Sequence, residues 1–91
     1  MSQIERKVIH MNHITPTAVE LSATLRRALR EAGVSQREVS QRFDIPLTTL
    51  NRHLSRGAVS WDEIRAVSIA TRRSAASLIA EASDQRENAA A

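Results

Sequence analysis

The chain has no cysteine and no tyrosine, and its 91 residues include one tryptophan, one phenylalanine, two glycines and two prolines. Without cysteine there is neither a disulfide framework nor a thiolate metal site, which suits a reducing cytoplasm. With Phe43 and Trp61 as its only aromatic side chains, the interior has to be built from Leu, Ile, Val and Ala. No apolar run approaches the roughly 18 residues that a membrane span needs, and the N-terminus lacks the apolar centre of a signal peptide. Nor is there a glycine-rich phosphate loop, or a nucleophile set beside a base and an orienting acid, so neither an enzyme nor a cofactor is expected. His10 and His13 sit three apart with no third ligand nearby, which leaves no metal site.

What is present is one small domain's worth of chain with an uneven charge. The net charge is +3, from 13 basic and 10 acidic residues. Residues 17–60 hold seven arginines (Arg26, Arg27, Arg30, Arg37, Arg42, Arg52 and Arg56) against Glu20, Glu31, Glu38 and Asp44, a balance of +3. From Trp61 onward four arginines meet five acids, and residues 1–16 contribute +1. A positive excess concentrated in one stretch is what a polyanionic partner would select, although a modest net charge and an Arg-rich surface also suit an ordinary solvated protein.

That stretch contains the segment around which the chain is organised, SQREVSQRFDIPLTTLNRHLSRG, from Ser35 to Gly57. Val39, Phe43, Ile45, Leu50 and Leu54 form one helical stripe, a break at Asp44-Ile45-Pro46, and a second stripe tilted against the first. Ser35 and Glu38 have capping-box spacing, so a helix is expected over about 36–43. Pro46, whose φ is preset and whose missing donor is not needed in a first turn, suits the opening of the next helix, over about 46–55. Leu50 and Leu54 face inward on it. Leu47, Thr48, Asn51, Arg52 and His53 take the remaining surface, a short polar face of the width that enters a groove of DNA.

Around this segment the chain reads as helices throughout. Residues 1–16 form an N-terminal arm, flexible or partly helical, since the spacing of Ile4, Val8 and Met11 suits a helix while Val8-Ile9 suits a short strand. A first helix begins near Thr17, which repeats the capping-box spacing with Glu20, and ends before Gly33, with Leu21, Leu25, Ala28 and Ala32 inward and Leu29 beside them. Arg26, Arg27 and Arg30 lie on its other side. Ser60 and Glu63 make a third capping box for a helix from Trp61 or Asp62 to about Thr71, with Ile64, Val67, Ser68 and Thr71 inward and Ala66, Ile69 and Ala70 as a spare outward apolar strip. A last helix runs from Ala75 to about Ser83, and residues 84–91, without an apolar anchor, are expected to be a disordered tail or a frayed extension.

This order of elements resembles the five-helix DNA-binding domains of phage repressors and Cro-type regulators, the lambda-repressor-like helix-turn-helix proteins. The resemblance spans roughly residues 18–83. It rests on Gln36 opening the second helix, on Val39, Phe43, Ile45 and Leu50, and on TTLNRHLSRG followed by SWDEIRAVSIA. It departs from the family at Ser40, where Ala is usual, at Asp44, where Gly is common, and at Thr71 and Arg73, which replace apolar residues. The resemblance implies an all-α, compact, five-helix lambda-repressor-like helix-turn-helix domain over 17–83. It also implies that Gln36 and the third helix face the major groove of double-stranded DNA.

Within that frame Leu47, Thr48, Asn51 and Arg52 are the expected base readers. Asn51 pairs with adenine, Arg52 with guanine or a phosphate, and Thr48 and Leu47 meet a thymine methyl. Phosphates are assigned to Gln36, Arg37, Arg27, Arg30, His53 and Arg56, together with the N-terminus of the second helix. A domain this small covers too little DNA for tight site selection, so a homodimer on a palindromic operator is expected. Its interface would comprise Ala66, Ile69, Ala70, Leu78 and Ile79, unless Leu78 and Ile79 close the monomer's own core. A sequence-specific transcriptional regulator, a repressor that occludes a promoter, is the leading function. The alternative is a protein-interaction module on the same fold, such as an antitoxin or antirepressor.

Overall fold

A computed structural model describes residues 16–90, with side chains to Gln85. The described residues are all helical and contain no strand: α1 spans Ala18–Ala32, α2 Gln36–Phe43, α3 Leu47–Arg56, α4 Trp61–Thr71 and α5 Ala75–Ala90. None of these helices is long and apolar enough to cross a membrane. The N-terminal arm expected over residues 1–16 lies outside the described residues except for Pro16.

Local chemistry places the helix starts. Thr17 accepts from the Glu20 amide while the Glu20 carboxylate returns to the Thr17 N–H, and Ser60 and Glu63 do the same at the head of α4. At Ser35 the hydroxyl half of the box is made, with Oγ accepting from the Glu38 N–H at 3.0 Å. Pro46 stands one position earlier than its preset φ suggested. With φ −56° and ψ 130° it is the N-cap of α3, and Leu47 is the first helical residue.

The ends of α1 to α4 share one device, a left-handed residue that reverses the chain while the next amide reaches back to the last turn. Gly33 and Gly57 supply it at φ 71° and 75°, Asp44 and Arg72 at φ 56° and 60°. At the two non-glycine sites a serine adds a second tie. Ser40 Oγ donates to the Ile45 carbonyl and Ser68 Oγ to the Arg73 carbonyl, each at 2.6 Å, while the Ile45 and Arg73 amides bond the Ser40 and Ser68 carbonyls. A left-handed conformation costs a residue with a Cβ roughly 1–2 kcal/mol. Because the Arg72 side chain is exposed, Arg72→Gly is expected to stabilise the domain by about 1 kcal/mol and raise its Tm by about 4–8 °C. An unchanged or lower Tm would show that the tie from Ser68 already removes the strain.

Helix α1 is the hub: α3, α4 and α5 pack on it, and α2 packs on α3 and α4. The core is aliphatic, as the composition required, with Leu25, Ala28, Leu29, Val39, Leu50, Leu54, Ile64, Ala66, Val67, Leu78 and Ala82 buried. Phe43 packs at its margin and Trp61 stands exposed at the head of α4.

The packing departs from the sequence pattern at three places. Ala66, placed on the outward strip, is buried, and Leu78 is fully buried, so both fill this chain's own core and are unavailable to an interface. On α1 the buried face takes in Ser22 and Thr24 while Ala32 is exposed, a rotation caused by α5 lying along that side of the helix. And α5 does not stop near Ser83: residues 84–90 continue it, so of the two expectations for this segment the helical extension is found, to Ala90, and not the disordered tail. Its hold on α1 is polar as well as apolar. Ala82 is buried, Glu81 pairs with Arg27, and the Gln85 amide lies between Thr24 Oγ1 and the Arg27 guanidinium. Ser68 and Thr71, poor core filling by composition, are half-buried with their hydroxyls spent on the Arg73 and Val67 carbonyls.

Candidate nucleic-acid interface

The outer face of α3 follows from its inner one. Leu50 and Leu54 are both 0% exposed, which fixes the helix about its axis and turns positions 48, 51, 52 and 56 outward. Thr48, Asn51, Arg52 and Arg56 are all exposed, and Leu47 is half-buried at the edge of that face. Among the described residues Arg52 and Arg56 have no ion pair. The polar contacts on this face are local, Ser55 Oγ donating to the Asn51 carbonyl at 2.8 Å and to the Arg52 carbonyl at 3.2 Å, and they leave the Asn51 side-chain amide open.

The rod that carries this face is held at both ends. At its start the Asp44 turn and the Ser40 tie join it to α2. At its end the Arg26 guanidinium donates to the Leu54 carbonyl, where the negative end of the helix dipole favours a cation. Gly57 closes the last turn against Val19 of α1: a Cβ at that position would stand 2.8 Å from Val19 Cγ2 and 2.9 Å from its Cα. Beyond the loop, the buried Glu63 accepts from the Ser60 N–H through Oε1 and lies 2.7 Å from His53 Nδ1 through Oε2, so α3 and α4 are clasped across the connection.

The residues assigned to phosphates divide into two groups. Arg37, in the first turn of α2, and Arg30 and Arg56, in the last turns of α1 and α3, are exposed. Gln36 is half-buried as the first residue of α2, with its Oε1 buried and without a hydrogen bond among the described residues. Arg27 does not belong to this set. It pairs with Glu81 and lies beside Gln85, turned toward α5. His53 is half-buried, and its Nδ1 is engaged by Glu63. Of the other residues assigned to a dimer interface, Ile69 is 46% exposed, Ala70 packs on the core and Ile79 is half-buried.

Reading the sequence missed Arg26, Glu63, Arg73 and Glu81 as structural cations and anions. Glu63 had a visible signal, its place three residues after Ser60, but that spacing announces only one of its two partners. Glu81 joins Arg27 of α1 and Arg73 of the α4–α5 connection, the latter at 2.7 Å. The hydrogen bond from Arg27, the one from Arg73 and the two positive charges outweigh partial burial and hold its carboxyl below the ordinary 4.5. A depressed acid stabilises the fold above that ordinary value, and the contribution disappears as pH falls through the folded value. Glu81→Gln should therefore be less stable than the parent at neutral pH and converge with it in acid below about pH 4.5. A difference in Tm that stays constant across that range would contradict the role assigned to the ionised pair.

Comparison of the chain with models of protein families, with curated proteins and with solved structures finds no match.

Proposed function

We propose that this chain is a sequence-specific, double-stranded DNA-binding transcriptional regulator of the lambda-repressor-like helix-turn-helix type, with α2 and α3 as the motif and α3 as the helix that reads the major groove. The observation that carries the reading is the exposed face of α3: Thr48, Asn51 and Arg52 point away from the two fully buried leucines on a helix fastened at both ends. Asn51 has the amide geometry to pair with adenine N6/N7, and Arg52 the fork to pair with guanine O6/N7. Arg37, Arg56 and Arg30 supply positive charge for phosphates, and the first turn of α2 supplies unpaired N–H groups. Repression follows by occlusion of a promoter.

One face of this size specifies few base pairs, so the protein acts as a homodimer on a palindromic operator, with Ile69 and Ile79 the apolar side chains still available to the contact between copies. Selection of bound duplexes from a random pool tests the reading. An inverted repeat with half-sites about one helical turn apart is the expected product. A pool that remains random after several rounds would overturn it.

A further inference from the structure

The contact between His53 and Glu63 bears on how α3 meets DNA. Glu63 is 3% exposed, and both of its oxygens are engaged, Oε1 by the Ser60 N–H and Oε2 by His53 Nδ1, each at 2.7 Å. A carboxylate only accepts, so in this arrangement Nδ1 carries the hydrogen and the ring is fixed with that edge toward the protein. The His53 side chain keeps 27% of its surface in solvent, and Nε2 is the ring nitrogen left to meet it. His53 stands in the last turn of α3, between Arg52 and Arg56, next to the face assigned to DNA.

We infer that Glu63 is a positioning residue that aims Nε2 of His53 outward as a proton-dependent phosphate contact, so that DNA binding takes up one proton. The inference rests on the DNA-binding reading above. With Nδ1–H donated to Glu63, a neutral ring offers a phosphate oxygen only the lone pair of Nε2, which repels it. Once a proton from the solvent occupies Nε2, the ring donates a charge-assisted hydrogen bond there. The proton comes from hydronium or a buffer acid, which gives up an O–H bond as the N–H bond forms at Nε2, and no other bond changes. Glu63 of α4 is the charged group in contact with the ring; Arg26 of α1 holds the carbonyl of the next residue, Leu54, and Arg52 and Arg56 are near neighbours in sequence on α3. The arginines stay charged, and His53 is the one histidine among the described residues. The protein-facing bond runs through Nδ1, so His53→Asn sets an amide N–H in the same place, keeps the clasp and deletes Nε2.

The test is a titration of a labelled random-sequence duplex with the full chain, His53→Asn and Glu63→Gln at about pH 6 and about pH 8, at constant ionic strength, with the fold checked by circular dichroism at both. The parent should bind about three- to tenfold more tightly at the lower pH, within the limit of about tenfold per pH unit set by one proton. His53→Asn should bind equally at both, with the parent's affinity at the higher pH. Glu63→Gln, folded but without the fixed acceptor, should lose most of the dependence. Parent affinity that ignores pH, or a dependence that survives in His53→Asn, would overturn the inference and leave the DNA reading standing. Absence of binding by the parent at either pH would instead remove the DNA reading and this inference with it.

Discussion

Gly57→Ala is expected to destabilise the domain by about 3 kcal/mol, the sum of left-handed strain and an overpacked contact. At φ 75° the residue lies where a Cβ is strained, and that Cβ would press on the Cγ2 and Cα of Val19 at 2.8 and 2.9 Å. The side chain of Val19 could rotate away, but its backbone could not without unseating the start of α1. Gly33 is the internal control. It has a similar φ of 71° with nothing within 4 Å of the added carbon, so Gly33→Ala should cost only the strain, about 1–2 kcal/mol. Thermal or denaturant unfolding of the two variants separates the terms. Equal losses would mean that the close approach of α1 to the end of α3 contributes nothing, and that the end of α3 is not clamped there.

The second large effect is on binding. Asn51→Ala should weaken binding to the selected site by about 1–3 kcal/mol and leave binding to random DNA nearly unchanged, because in the proposed complex the amide reads a base and does not neutralise a phosphate. The side chain is exposed, and the Ser55 contact goes to the backbone carbonyl, so the Tm should not move. Gel shifts with selected and scrambled duplexes at one salt concentration give the comparison. Losses of equal size on both would reassign Asn51 from base reading to general attachment.

The parts of this fold that were legible in the sequence are those governed by neighbours a few residues apart. Thr17 with Glu20 and Ser60 with Glu63 mark helix starts because both partners of each box lie within one turn. Gly33 marks the end of α1 because the left-handed conformation selects glycine. Leu50 and Leu54 orient α3, and with it Thr48, Asn51 and Arg52, because helical periodicity is local too.

What escaped depends on how helices far apart in sequence are turned toward one another. Arg27 reads as a surface cation until α5 brings Glu81 to it from 54 positions away. Residues 84–90 read as a tail because they hold no apolar anchor, whereas α5 is fastened at Gln85 to Thr24, 61 positions away. The same cause moved Ala66 inward, and it decided between the two places open to Leu78, the contact between copies and this chain's own core. An apolar residue beside a helix's main stripe has an ambiguous side until a neighbouring helix covers it, and here the covering is done by this chain.

The most direct measurement of the central claim is the change in backbone amide chemical shifts of the labelled protein when a selected duplex is added. The shifts should concentrate on residues 47–56 of α3 and on the first turn of α2 around Gln36 and Arg37, with the outer side of α5 unmoved. Shifts that spare Thr48, Asn51 and Arg52 and gather instead on α5 or on the exposed side of α4 around Ile69 would contradict it.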